Sequence, residues 1–247
     1  MSAGRPFTVF GYERLDSTHS RALRDLSSLP DGAVVTALRQ DAGRGRLGRS
    51  WLSEGKGLYF TIVLKPAGAR PEIFPCYTHL LALAVCAELE RLGLSPSIKW
   101  PNDVLCGGGK ICGILAEAVT EGGSPAAAVV GAGINLYQEA ADFAGLDRPA
   151  VSAAMLLGGA APERGSFLAE VLEGFFALRP ALEERGFPAI SAQYRRRAGF
   201  IGRRVKIISA SGEVSEGTAD IDDAGQLALD GPSGRVSVPG GEMESVS

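Results

Sequence analysis

Side chains suited to metals are scarce in this 247-residue chain, which has 4 cysteines and 2 histidines. Cys76, Cys86, Cys106 and Cys112 form no CxxC pair, and only His19 and His79 could supply imidazole ligands. Neither a zinc site nor a disulfide framework is indicated, so the four are read as reduced, buried thiols and no resident metal is expected. No run reaches the ~20 apolar residues of a membrane-spanning helix. The N-terminal stretch MSAGRPFTVFGYERLDS has no apolar core followed by a small-residue cleavage site. These absences predict a cytoplasmic protein without a membrane partner. A basic excess is missing too: 25 Lys and Arg against 28 Asp and Glu leave a formal net charge of -3. That argues against broad nucleic-acid binding, so any site for an anion must be local.

What is present is an ordinary globular composition, 45% apolar and 21% charged. The length suits one large domain, or one domain with a small appendage. β-rich segments dominate the first two thirds: FTVFGY at 7–12, AVVTALRQ at 33–40, LYFTIVLKP at 58–66, then SIKW, KICGILAEAV and AAAVVGAGINLY. Helical patterns interrupt them. Thr18 is the candidate cap for a helix that puts Ala22, Leu23 and Leu26 on one face. Residues 74–92 carry a stripe of Leu80, Leu81, Ala84, Val85 and Leu89 and stop at Gly93. A third pattern runs from 166 toward Gly186, where Pro180 is expected to kink or divide it. Without regular βαβ alternation, this mixture predicts an α+β domain on a mixed β-sheet with packed helices.

Beyond Gly199 the texture changes to short alternating strands, with turns at Ser211-Gly212, 223–225 and 231–234. A small antiparallel barrel or sandwich is expected there, near the lower size limit for folding alone and so leaning on the larger domain. The expected division is 1–198 and 199–247.

Three stretches carry chemistry. GRGRLGRSW at 43–51 places Arg44, Arg46 and Arg49 between Gly43, Gly45 and Gly48. Arginine offers a planar fork of donors to an anion, and glycine lets the backbone come close to it. The pattern predicts a clamp for phosphate or carboxylate in a loop that can close. Trp51 follows, and spacing allows both an aromatic lid and the first core residue of the next strand. In IKWPNDVLCGGGKICGIL, Pro101 precedes Asn102 and Asp103, polar groups costly to bury unpaired. The glycines at 107–109 read as a hairpin tip, because GGGK is not the Walker spacing. Lys110 reads as a point charge for an anion, and Gly113 as a place of close approach. In VVGAGINLY, Gly131 and Gly133 punctuate a buried strand and put Asn135 at its end, where an amide can read a ligand edge; GxG alone is too weak to indicate a dinucleotide fold.

Taken with LDSTHS at 15–20 and a closing GGE, these motifs run in the order of the biotin protein ligases, which the chain resembles over essentially its whole length. The resemblance implies the class II synthetase-like fold of the biotin and lipoate ligases with a C-terminal SH3-like barrel. It implies ATP-dependent formation of biotinyl-5′-AMP, then transfer of biotin to a lysine of a biotin carboxyl carrier domain. Biotin and ATP with Mg²⁺ would be the small molecules. Ser17, Thr18 and Gln40 would hydrogen-bond the ureido ring, with Gly43, Gly113 and Gly133 along the pocket. Arg44, Arg46 and Lys110 would serve both biotin and nucleotide, joined on the nucleotide side by Arg49, Trp51, Asn102 and Asn135. Asp103 would help receive the acceptor lysine, making Lys110, Arg46, Arg44 and Asp103 the catalytic set.

The chain departs from the family pattern at Leu47, where a second arginine is usual, and at His19, where asparagine is frequent; His19 is read as a residue of a solvated helix. No helix-turn-helix precedes the motifs, so the likeness to members that act as repressors is not extended to DNA. Arg195, Arg196, Arg197, Arg203, Arg204 and Lys206 are read as a solvated hinge between the two parts. Monomer and a homodimer joined at a sheet edge are both open. A lipoate or octanoate ligase or transferase of the same fold is the alternative reading, opposed by the arginine-glycine loop and the KWPND run.

Overall fold

The computed structural model describes residues 5–68, 70–209, 211–232 and 234–245. Its first sheet has seven strands, β1 (Thr8–Leu15), β2 (Ala33–Gln40), β3 (Gly57–Leu64), β4 (Ser97–Lys99), β5 (Asp103–Cys106), β6 (Gly109–Glu121) and β7 (Ser124–Asn135). They lie in the order β1-β2-β3-β7-β6-β5-β4, with β1 and β2 parallel and every other pair antiparallel. The helices are α1 (Thr18–Arg24), α2 (Cys76–Arg91), α3 (Ala153–Leu156), α4 (Arg164–Arg185) and α5 (Pro188–Arg197). A second, wholly antiparallel sheet is built from β8 (Arg204–Ile208), β9 (Val214–Ile221), β10 (Leu227–Gly231), β11 (Gly234–Val238) and β12 (Glu242–Ser245). Its order is β11-β10-β9-β8-β12, and no ladder joins β11 to β12 among the described residues. The α+β class and mixed sheet agree with the expectation. The turn expected at 231–234 includes Ser233, and the expected domains begin and end on 1–4 and 246–247, all outside the described residues.

The two faces of the large sheet are covered unequally. On one, Leu58, Phe60, Ile62 and Leu64 of β3 join Val130, Ala132 and Ile134 of β7 in a core with α2, α4 and α5. On the other, Val63 and Val129 meet Val35 and Ala22 in a small cluster under α1. Because β3 is covered on both sides it reads as an unbroken apolar run, with all eight residues buried. The short α1 covers only part of that face: its first turn reaches Thr61, Gly131 and Glu117, and the paired Gly113 and Gly133 lie beyond it.

Several local expectations are corrected. Ser17, not Thr18, caps α1: its extended backbone lets Oγ accept from Ser20 N, and Thr18 becomes the first helical residue. Pro180 does not divide the third helix, which runs 22 residues to Gly186, where a φ of 73° ends it. The buried Phe167, Leu168, Val171, Leu172, Phe175, Phe176 and Leu182 hold it continuous against the core. Residues Pro71–Arg91 are long and apolar enough to cross a membrane by length and composition, contrary to the sequence reading, but 78% of the most apolar 18-residue stretch is buried inside the fold.

The basic cluster is also not a solvated hinge throughout. Arg195 pairs with Asp220 at 2.6 Å and also donates to Ile221 O, and Arg197 is buried and pairs with Glu90 at 2.5 Å. Arg204 and Lys206 pair with Glu216 and Glu244 within the second sheet. Behind Arg195, His79 of α2 donates from Nε2 to Gly225 O at 2.8 Å, with Phe187 and Tyr194 edge-on to its ring. These contacts join α2 and α5 to the small sheet.

Burial holds the His79 imidazole at a pKa of about 4 against an ordinary 6.5, with the Gly225 bond opposing. The folded state therefore binds fewer protons than the unfolded chain between those values, and stability falls as pH drops from 6.5 toward 4. The loss attributable to this residue is on the order of 3 kcal/mol. Thermal melting from pH 7 to pH 4 should show this decline, and His79→Gln should flatten it.

Candidate active site

The open part of the sheet face is a floor almost without side chains. Gly113 of β6 and Gly133 of β7 are direct cross-strand partners. The indole of Trp51 lies flat on them: a Cβ on Gly133 would stand 2.4 Å from Trp51 Nε1, and one on Gly113 2.7 Å from its Cζ3. No other residue type fits under that ring. Gly131 opens the adjoining space, where a Cβ would meet Thr61 Oγ1 at 3.0 Å and His19 Nδ1 at 3.2 Å.

Lys110 reaches this floor through a register shift. Asp103 pairs with Gly113 and Val104 with Cys112, but Leu105 pairs with Lys110, so β6 carries one extra residue at Ile111. Side chains alternate along a strand, so Lys110, three residues before Gly113, would otherwise face the opposite side. The bulge reverses it. Lys110 Nζ lies 2.6 Å from Asp103 Oδ1 and 5.2 Å from the Trp51 ring centroid. Asn135 braces the bulge, donating through Nδ2 to Lys110 O (3.2 Å) and Val151 O (3.0 Å) and accepting from Gln138 at 3.3 Å. Its Nδ2 hydrogens are thus used in the frame, while the residue also borders the largest of the cavities described below.

The polar end of the site is a directed chain of hydrogen bonds. Gln40 Oε1 must accept the Thr18 backbone N–H at 2.8 Å, which fixes its amide orientation. The Thr18 hydroxyl therefore donates to the same oxygen at 3.1 Å and accepts from Thr61 Oγ1 at 2.9 Å. On the other side Gln40 Nε2 donates to Ser53 Oγ at 2.9 Å, and Ser53 donates to Trp51 O at 3.0 Å. Every hydroxyl proton in this chain is committed. The Ser17 hydroxyl accepts from Ser20 N and has no hydrogen-bond acceptor among the described residues, so it can donate to a ligand.

The arginine-glycine loop is a short hairpin over this floor. Trp51 N–H donates to Gly43 O at 2.9 Å and Gly45 N–H to Arg49 O at 2.7 Å. Gly43 is required at the base, since a Cβ would lie 2.6 Å from Ser53 Oγ and from Trp51 O. The turn forces Leu47 into the left-handed region at φ 57°, costly for a branched side chain, and leaves it exposed. Each cation has a protein partner. Arg44 meets Glu117 at 3.1 Å, Arg46 donates to Asn102 Oδ1 at 3.1 Å, and Arg49 pairs with Glu242 of β12, which also holds Arg148 at 2.8 Å. Asn102 is itself pinned, donating to Ile114 O at 2.8 Å. With both side chains over a third exposed, the Arg44–Glu117 pair contributes at most about 1 kcal/mol. An anion accepting charge-assisted bonds at about 1.5–3 kcal/mol each can displace it.

Three connected cavities result. A small one of about 50 Å³ runs between Ser17, Thr18, Gln40, Thr61 and Gly131 at one end and Arg46, Asn102 and Lys110 at the other. A second, of about 100 Å³, gathers Arg46, Arg49, Lys99, Lys110 and Arg148 around Asp103 and Glu242. A third, of about 410 Å³, is lined by Leu52, Phe143, Leu146 and Pro149 along with Lys110. Trp51 borders all three.

The structure thus brings together nearly all the residues singled out from the sequence, with Gly43 at the loop base and Arg49 turned to the second sheet. Sequence reading missed Thr61, Ser53, Glu117, Lys99 and Arg148. No motif marks them, because they enter through strand pairing or chain crossing. It also misplaced His19, which is 3% exposed rather than solvated, because the first turn of α1 rests on Gly131.

Residues 11–135 match the biotin/lipoate A/B protein ligase family, and residues 200–245 match the biotin protein ligase C-terminal domain. The chain is 34% identical to a biotin–[acetyl-CoA-carboxylase] ligase of Paracoccus denitrificans, over 93% of this chain and 97% of that protein. It is 29% identical to a bifunctional ligase/repressor BirA of Bacillus spizizenii, over 94% of this chain and 73% of that one. Among solved structures, the biotin protein ligase of Aquifex aeolicus in complex with biotin and ATP superposes with a TM-score of 0.81 at 26% identity, covering 96% of this chain and 97% of that chain. This chain therefore belongs to the biotin/lipoate A/B protein ligase family.

Proposed function

We propose that this chain is an ATP-dependent biotin protein ligase that forms biotinyl-5′-AMP and then transfers biotin to a lysine of a biotin carboxyl carrier domain. The observation that carries the reading is the small cavity, with hydrogen-bonding groups at one end, a glycine floor along its length and Lys110 and Arg46 at the other. The polar end offers partners to a cyclic urea and the cations to a carboxylate, and the glycines receive the aliphatic chain once the Trp51 indole moves off them. The large cavity beyond Trp51 suits the adenosine, and the cation-rich one the triphosphate. We assign residues 1–198 to this chemistry and 199–247 to the small unit that holds Arg49 through Glu242.

The reaction needs positioning and charge neutralisation more than covalent help. The biotin carboxylate oxygen attacks the α-phosphorus, and the bond to the β-phosphate breaks to release pyrophosphate. Arg44, Arg46 and Lys110 neutralise the anions as they meet, exchanging Glu117, Asn102 and Asp103 for them. Once Lys110 turns to the adenylate, Asp103 is freed to orient the incoming lysine amine and accept its proton. The amine attacks the acyl carbon and AMP leaves. Among the described residues no three His, Cys, Asp or Glu side chains gather as a metal cage, so Mg²⁺ would arrive on the nucleotide, held chiefly by its phosphate oxygens. The reading places the enzyme in the cytoplasm, with its ATP, and assigns it no DNA partner.

Mass spectrometry of an apo carrier domain incubated with this protein, biotin, ATP and Mg²⁺ should show the mass of one added biotin. ATP–pyrophosphate exchange should respond to biotin and not to lipoate or octanoate; exchange with lipoate alone overturns the assignment. Lys110→Ala and Arg46→Ala should each lower carrier biotinylation by roughly 100-fold or more, about 2.7 kcal/mol of barrier, with melting unchanged. Gly133→Val should displace the Trp51 indole and abolish biotin binding by calorimetry, and Trp51→Ala in the same chain should restore part of it.

A further inference from the structure

His19 borders the small cavity beside Ser17, Thr18 and Gln40 and is 3% exposed. Neither of its ring nitrogens makes a hydrogen bond among the described residues. Leaving a buried polar atom unpaired costs about 1–3 kcal/mol, so the imidazole stands as half of an interaction.

The surroundings define the missing half. Glu117 Oε1 lies 3.2 Å from Nε2, out of hydrogen-bond alignment but near enough for its charge to favour the tautomer protonated there. Burial is the largest influence on the ring and lowers its pKa; Glu117 opposes this, and Arg44, on the same carboxylate oxygen, reinforces it. The ring is therefore neutral, and Nδ1 carries a lone pair. That nitrogen points to where Gly131 lacks a Cβ, next to Thr61 Oγ1. Since the Thr61 and Thr18 protons are committed along the chain to Gln40, this end of the cavity offers the Ser17 hydroxyl as donor and His19 Nδ1 as acceptor.

We propose that His19 is a specificity residue that touches the substrate, its Nδ1 accepting one N–H of the cyclic urea of biotin while Ser17 donates to the urea carbonyl. The inference rests on the biotin reading above and deepens it, naming a contact made by a residue at which this chain departs from its family.

Calorimetry with biotin and with its two mono-N-methyl ureido analogues tests the contact. His19→Leu should weaken biotin binding roughly 10- to 100-fold and leave unchanged the affinity for the analogue methylated at the nitrogen facing Nδ1. His19→Asn, which keeps an acceptor, should recover most of the loss. In the wild-type chain the ¹⁵N resonance of Nδ1 should move on biotin binding, a readout that does not depend on the leucine variant folding. Undiminished binding by His19→Leu, an equal loss on all three ligands, or an unmoved Nδ1 resonance overturns the proposal. No heat with biotin on the wild-type chain would instead overturn the biotin reading itself, and this inference with it.

Discussion

Three missing Cβ atoms set the form of the site. Gly113, Gly131 and Gly133 lie on one face of adjacent central strands, and the space they leave is taken by Trp51, His19 and the cavity itself. A central sheet ordinarily covers such a face with branched side chains, as β3 does with its other residues. Stripping it at three positions weakens the strands locally, since glycine loses most backbone freedom on folding. The cost is borne by the deep core on the opposite face, where α2 and α4 bury an almost continuous apolar surface. The site can be bare because the other side of the sheet is not.

On that floor the chain distinguishes rigid from replaceable polar contacts. The Thr61–Thr18–Gln40–Ser53–Trp51 chain is fixed in direction by two backbone groups, the Thr18 N–H at one end and the Trp51 carbonyl at the other. It holds the loop base to α1. The cations behave differently. Arg44 and Arg49 sit in part-exposed ion pairs of small net worth, and Lys110 rests on the carboxylate it would leave when an anion arrives. A rigid polar end beside an exchangeable cationic end suits a substrate bound at one end and activated at the other. Glu242 extends this arrangement to the second sheet, so the loop is tethered to both parts of the molecule.

Much of this was legible in the chain. The glycine-arginine loop, the KWPND run with its later lysine, and the GAGIN strand end were each visible as spacing, because glycine and clustered cations are poor choices for an ordinary strand or core. Residues without a motif were not. Thr61 lies in an unbroken apolar run, Glu117 in a strand whose neighbours are aliphatic, and Lys99 and Arg148 among ordinary surface charges. His19 was misread because amphipathic periodicity reports the face of α1 that meets the small cluster, while its first turn is buried farther along β7, where Gly131 lets the imidazole in. Pro180 was misread because a local penalty was weighed without the seven buried side chains that outweigh it.

The sequence by itself determined the class of fold, the anion-seeking loop and the glycines of the floor, since these follow from residue type and short-range pattern. Tertiary structure alone decided which residues meet. One extra residue at Ile111 turns Lys110 to the face that holds Asp103 and Trp51, and Asn135 locks that choice through two carbonyls. Strand register has a period of two, so a single insertion reverses a side chain without leaving a mark in composition or motif.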